Sequence, residues 1–266
     1  MNYARLYLAF VRYCLVREMA FRGNFLIRVA TEALWFGLLL VFYDVVYLKT
    51  AGIGGWSKYQ FLTLMGVHFV VTGTVETLFL MNLEALSDQI RRGDLDFALV
   101  KPVDEQFLLS LSKVDWSTVP NILIGAALVA FSLGRLDITP SLAQLALSAL
   151  LVAAGVAIYY SCMLAAASAA IWMISNRGLL ELWFYITNFG RYPREMYGQG
   201  WGRWLQRSLT FLIPVLLVNN LPAQALVRDL LDPWLAVYGL ASAAALLLAS
   251  RYVFRRALRS YRSASS

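Results

Sequence analysis

Charge is what this chain lacks. Between Asp137 and Arg177, the stretch from Ile138 to Asn176 contains no charged residue at all. Only 15% of the 266 residues are charged, against about a quarter in a soluble domain, so an ordinary soluble fold is excluded. Histidine occurs once, as His68, which excludes a two-histidine metal site. Cys14 and Cys162 lie far apart and belong to no ligand cluster. Cys14 is expected on the cytoplasmic side, so no disulfide between them is expected. There is no G-x-x-x-x-G-K-[ST] loop to cradle ATP and no G-x-S-x-G elbow to present a nucleophilic serine. The opening residues also lack the uninterrupted apolar run and small-residue cleavage site of a secretory signal, because Arg5, Arg12, Arg17 and Arg22 interrupt them.

What is present is apolar and aromatic. The chain is 60% hydrophobic, with eight Trp and fourteen Tyr, and its mean hydropathy is +0.62. A membrane-spanning helix needs about 20 mostly apolar residues, and the charge-free stretch alone exceeds that. The net charge of +7 does not point to nucleic acid, because the arginines flank apolar runs instead of lining one polar surface.

Six spans are expected, over about Phe25–Leu48, Tyr59–Met81, Trp116–Leu133, Leu142–Ile174, the short Gly178–Phe189 and Trp234–Val253. The fourth would be about 50 Å long as a helix, so it should tilt, project beyond the bilayer, or break near Gly155 or Ser161. Residues 1–22 read as a basic interfacial helix or as the first turns of the first span. Ser208–Val218, bracketed by Pro214 and Pro222, is apolar but too short to cross, which suits a re-entrant segment. Basic residues follow the positive-inside rule when both termini and the loop with Arg91, Arg92, Lys101 and Lys113 are cytoplasmic. The cluster Arg191, Arg194, Arg203 and Arg207 then falls outside and fits least well.

Two groups of residues carry functional expectations. The loop 82–115 contains Leu83, Leu86 and Ile90 at helical spacing, with Glu84, Asp88, Arg91 and Arg92 on other faces. Gly93 is a natural helix stop, followed by Asp94-Leu95-Asp96 and, further on, Pro102. This pattern suits either docking to a partner protein or a solvated surface loop. The second group is ionisable and lies within apolar segments: His68, Glu76 and Glu181. Such groups face a cavity or a partner, so they are candidates for a translocation path, a dimer seam or a plain helix–helix hydrogen bond.

The run Ile90-Arg91-Arg92-Gly93-Asp94-Leu95-Asp96, followed by Pro102, resembles the cytoplasmic loop of permease subunits in the ABC-2 superfamily of ABC exporters. Phe189-Gly190-Arg191-Tyr192-Pro193, then Phe211-Leu212-Ile213-Pro214 and Leu221-Pro222-Ala223, is similar to the matching signature of the viologen-exporter-like branch. The ordered set covers nearly the whole chain.

The resemblance implies a single transmembrane domain over residues 1–266, all-α and type V exporter-like. It would have an elbow helix at 1–22, a coupling helix in 82–115, about six spans and short outer helices in 191–222. It implies a dimer with a second permease, identical or homologous, above two separate P-loop ATPase subunits. Those subunits would bind ATP and Mg, leaving this chain without a cofactor, a metal or a catalytic residue. Coupling would fall to Leu83, Leu86, Ile90, Arg91, Gly93, Asp94, Leu95, Asp96 and Pro102, and an outer gate to Arg191, Tyr192, Pro193, Pro214 and Pro222.

The function expected is export of an amphipathic or hydrophobic substrate (lipid, glycolipid, drug or antibiotic) across a bacterial inner membrane, in contact with membrane lipid and without nucleic acid. An autonomous secondary transporter or an intramembrane enzyme is the alternative. The chain shows no internal repeat of the kind many such transporters carry, and one histidine with scattered glutamates is poor material for a hydrolase.

Overall fold

The structure, a computed structural model, describes residues 2–50, 52–173, 177–227 and 231–261. Its regular elements are all helical among the described residues, and the one β-type contact is an isolated bridge between Ile53 and Trp56. Helix α1 (Tyr3–Ala20) bends at Phe21 into α2 (Arg22–Lys49). After a short loop, α3 (Lys58–Val75) passes through a π-helical segment, Glu76–Leu80, directly into α4 (Met81–Arg92). Two short helices follow, α5 (Asp94–Leu99) and α6 (Glu105–Leu111). Then come α7 (Val119–Arg135), α8 (Leu142–Ser168), α9 (Ala170–Met173) and α10 (Arg177–Phe189). The chain ends with α11 (Gly202–Arg207), α12 (Val215–Val227) and α13 (Pro233–Ser260).

Among the described residues, five helical stretches are long and apolar enough to cross a membrane: Phe25–Lys49, Lys58–Arg92, Trp116–Arg135, Leu142–Met173 and Pro233–Ser260. A sixth arises only if Gly202–Leu212 and Val215–Val227, bent by 82° at their junction, count as one span. The expected fifth span, α10, has 13 residues and reaches only about 20 Å.

Local signals in the sequence explain where the helices begin and end. The Ser141 hydroxyl accepts from the Gln144 amide, and the Gln144 side chain accepts from the Ser141 amide. This reciprocal box starts α8. Asp232 accepts from the amide of Trp234 at 3.0 Å and precedes Pro233, a residue pre-shaped for a first helical turn. Gly93 ends α4 with φ of 76°, a left-handed conformation open to glycine. Its position is why the 82–115 loop divides there into two helices.

Small residues set the tightest helix contact. A Cβ on Gly66 would lie 2.7 Å from the Gly125 carbonyl oxygen, and one on Gly125 would lie 2.6 Å from that of Gly66. Helices α3 and α7 therefore touch backbone to backbone, as membrane helices do where glycines face each other. Gly155 does the same for α8, since its Cβ would meet Val218 of α12 at 2.9 Å. Helix α8 runs unbroken through Gly155 and Ser161, and the break comes after Ser168. The expected hinge glycine is thus a close-approach glycine instead.

The ends of the bundle separate cleanly. The base holds the start of α1 and the end of α13: Tyr3 lies beside Asp104 and Phe107, and the Trp172 indole donates to Ser260. The top holds the 52–57 loop against the 193–197 segment, with the Trp56 indole donating to Glu195 at 3.0 Å. Helix α12 is buried along its whole length. Asn219 meets His68, ten residues below the start of α3, whereas Gln224 meets Glu195 at the top. The polypeptide from Gly202 therefore turns by 82° at Ile213-Pro214, and α12 climbs from the level of His68 toward the top before α13. Proline at the turn removes a backbone donor and obstructs a continuous helix.

Candidate translocation cavity and coupling platform

A cavity of about 900 Å³ opens between α2, α3, α8 and α10. All three ionisable residues singled out within apolar segments, His68, Glu76 and Glu181, line it, together with Glu32, Trp183 and Arg191. Helix α3 supplies one wall. His68 sits on its buried side, and the Asn219 amide nitrogen lies 3.1 Å from His68 Nδ1 while donating to the Gly190 carbonyl at 3.0 Å. Gly190 is obligatory here, because a Cβ would meet the Tyr159 hydroxyl at 2.8 Å and Asn219 Nδ2 at 3.0 Å.

Glu76 begins the π-helical segment. Inserting such a segment into an α-helix is uncommon and concentrates at functional sites. Its effect here is to carry Glu76 toward Asn121 and Glu32. The Asn121 amide donates to Glu32 at the long distance of 3.5 Å. Glu32 lies one helical turn after Arg28, close enough in sequence to pair with it. Instead Arg28 reaches Asp115 at 3.7 Å and the Ser117 hydroxyl at 3.3 Å, which frees Glu32 for the cavity.

The base carries a platform built on α4, α5 and α6. Of the residues assigned to coupling, Leu83, Leu86 and Leu95 are buried against the rest of the chain (1%, 1% and 0% exposed). Their helical spacing reports packing of the platform onto the bundle, and they have no free face to offer a partner. Ile90, Gly93 and Asp96 are half-buried, whereas Arg91, Asp94 and Pro102 are exposed. Arg91 pairs with Asp88. The sequence reading passed over Phe97 and Val100, which are 75% and 85% exposed on α5 and just after it. Two large apolar side chains left bare beside Arg92, Asp94 and Lys101 form the compact patch expected of a docking surface. The signal that finds them is that the apolar run after Gly93 is longer than one buried helix face of six residues needs.

A polar chain ties this platform to the long helices. Arg251 of α13 donates to Asp104 at 2.7 Å and to Gln106 at 2.9 Å. Gln106 donates to the Tyr160 hydroxyl at 2.8 Å, and Ser110 lies 2.9 Å from the same hydroxyl. Asp104 also caps α6 through the Phe107 amide at 3.1 Å. Burial alone would raise the Asp104 carboxyl, but the hydrogen bonds from Arg251 and Phe107 outweigh it and hold the group below the usual carboxylate range. The α1 helix is fastened nearby: Cys14, 1% exposed, receives the Val114 amide, and the Trp116 indole donates to the Val11 carbonyl.

At the top, the residues assigned to a gate divide into two sets. Pro193, Pro214 and Pro222 are buried. Pro222 lies inside α12, and its carbonyl accepts from Ser148 at 3.0 Å. The Tyr192 carbonyl accepts from Asn220. Arg191 faces the cavity at the level of His68, whereas Arg203 and Arg207 are exposed beside Trp201 and Trp204. Asn219, Asn220 and Gln224 escaped the sequence reading, although three amides in one apolar segment are a signal of buried hydrogen bonding. Among the described residues, no group of three or more His, Cys, Asp or Glu could hold a metal ion.

The family described as ABC-2 family transporter protein matches residues 33–265, nearly the whole cavity and platform. The chain belongs to that family. Neither a curated protein nor a solved structure matches it. This ABC-2 protein is accordingly a multi-pass membrane protein, and its long apolar helices are the spans that such a transporter requires.

Proposed function

We propose that this ABC-2 protein is the permease subunit of an ATP-binding cassette exporter of the viologen-exporter-like branch. It would move an amphipathic or hydrophobic substrate out of a bacterial cytoplasm. Two separate P-loop ATPase subunits bind and hydrolyse Mg-ATP beneath the base, and a second permease, identical or homologous, completes the path. The base, with both termini, lies in the cytoplasm of the inner-membrane complex. One observation carries this reading: α3, the cavity wall with His68, continues without interruption through the π-helical segment into α4 of the platform. A push on α5 crosses Gly93 into α4, and from α4 the helix is continuous to Glu76.

The experiment is co-purification of this chain with candidate P-loop ATPase subunits from the same cell. Phe97→Asp and Val100→Asp place charge on the bare patch and should weaken the complex at least tenfold, leaving the permease itself as stable as before. Leu86→Asp should instead unfold the platform, because it buries a charge. Undiminished capture of the ATPase by the Phe97 and Val100 variants would overturn the reading, as would ATP hydrolysis by the permease alone.

A further inference from the structure

The cavity is polarised along its length. Glu32 and Glu76 sit toward the base, and His68 with Arg191 toward the middle of the bundle. The step of eight residues from His68 to Glu76, just past the end of α3, rises about 12 Å. His68 itself lies about 15 Å below the start of α3 at Lys58, so Arg191 beside it is at membrane depth.

A cation there is costly and is normally paired with a carboxylate or a backbone carbonyl. Arg191 has no such partner. Its Nε is buried without a hydrogen-bond acceptor, and no carboxylate forms an ion pair with it among the described residues. The surrounding surface is apolar and aromatic, with Phe69, Trp183 and Phe184 in the lining.

Resting on the exporter reading of this cavity, we infer that it takes an amphiphile bearing one acidic group, a carboxylate or phosphate, seated on Arg191, with its apolar body along Phe69, Trp183 and Phe184. A guanidinium matches either oxyanion with a fork of donors, and removal from water strengthens the contact. Glu32 and Glu76 then give direction, since like charge disfavours the acidic group at the base side of Arg191.

The test uses the full chain in lipid nanodiscs and reads quenching of Trp183, taken as the difference from Trp183→Phe. The probes are 11-bromoundecanoate, the trimethylammonium amphiphile of the same bromoalkyl chain, and a brominated phosphatidylglycerol. The acid should bind at least tenfold tighter than the ammonium compound. Arg191→Gln should remove that preference, and Arg191→Lys should keep part of it. Quenching by the single-chain acid identifies an exported amphiphile, and quenching by the phospholipid alone identifies a membrane lipid as the source of the anion.

Equal binding of acid and ammonium, or an acid affinity changed less than twofold in Arg191→Gln, overturns the inference. Because no ATPase is present, its failure is separate from failure of the exporter reading. Failure of the unaltered chain to capture an ATPase, or undiminished capture by the Phe97 and Val100 variants, with an intact acid preference would sink only the latter.

Discussion

Replacing Gly66 or Gly125 by alanine tests whether the α3–α7 contact fixes the cavity. The added methyl of Gly66→Ala would sit 2.7 Å from the Gly125 carbonyl oxygen and 2.7 Å from the Val129 side chain. Real Cβ contacts to such atoms fall beyond 3.0 Å, so the helices must part by several tenths of an ångström. The obstacle is backbone on a regular helix, which cannot swing aside as a side chain can. Overpacking of this kind costs about 1–3 kcal/mol, and alanine's higher helix propensity returns at most about 1 kcal/mol.

The net expectation is a loss of about 1–2 kcal/mol for either single variant, by the same two figures. The double variant should lose less than the sum, because a seam already opened by one methyl admits the second more cheaply. Gly37 and Gly178 provide the control, since a Cβ at either meets nothing within 4 Å; Gly37→Ala should be neutral or slightly stabilising. The assay is reversible unfolding in mixed micelles by tryptophan fluorescence. Equal stability of Gly66→Ala and Gly37→Ala would refute the reasoning, and so would strict additivity in the Gly66/Gly125 pair.

Two further outcomes follow from the ends of the bundle. Cysteine at exposed Gln199 should react with an impermeant thiol reagent in intact cells, while cysteine at exposed Lys101 should react only after lysis; the reverse pattern would invert the proposed orientation. The Asp104–Arg251 pair, partly open to solvent, is worth about 1 kcal/mol. Because folding lowers the Asp104 pKa, that contribution is present above the ordinary carboxylate pKa and is lost as pH falls through the lowered value. Asp104→Asn should therefore reduce stability at pH 7 and flatten its acid-side fall, measured by the same unfolding assay from pH 7 to pH 3.

Apolar periodicity and missing charge made the long helices legible, because a bilayer imposes those features directly on sequence. The broken segment was legible for an equally direct reason: Pro214 cannot continue a helix. Its extent was not, since the returning half runs to Val227 and is held by Asn219, Asn220 and Gln224, whose partners are 26 to 151 residues away in the chain. The cavity residues His68, Glu76 and Glu181 stood out as ionisable groups in apolar runs, yet the π-helical segment that aims Glu76 leaves no composition signal. On the platform the sequence pattern leaves the direction of each face open. Helical spacing of Leu83 and Leu86 marks a buried face as readily as a docking face, and only the fold shows that Phe97 and Val100 are the bare ones.

The cavity's walls differ in how they are held. On one side, α3 is locked to α7 through Gly66 and Gly125, and α8 to α12 through Gly155. Polar bonds add to this lock, from Asn219 to Gly190 and from Ser148 to Pro222. On the other side stand α2, with Leu34, Trp35, Leu38 and Val41 exposed, and α10, with Leu182, Phe184 and Tyr185 exposed. Local opening costs least where fewest apolar contacts must be broken, so on the exporter proposal an alternation of access would fall on α2 and α10, with α3 and α7 as a fixed frame. That frame is the part tied to the platform: α3 continues into α4, and Arg251 fastens α6 to α13. On the exporter proposal, force applied at the base would enter through the rigid half and be relieved at the loosely packed half, and the second permease of that proposal would cover the exposed apolar side chains there.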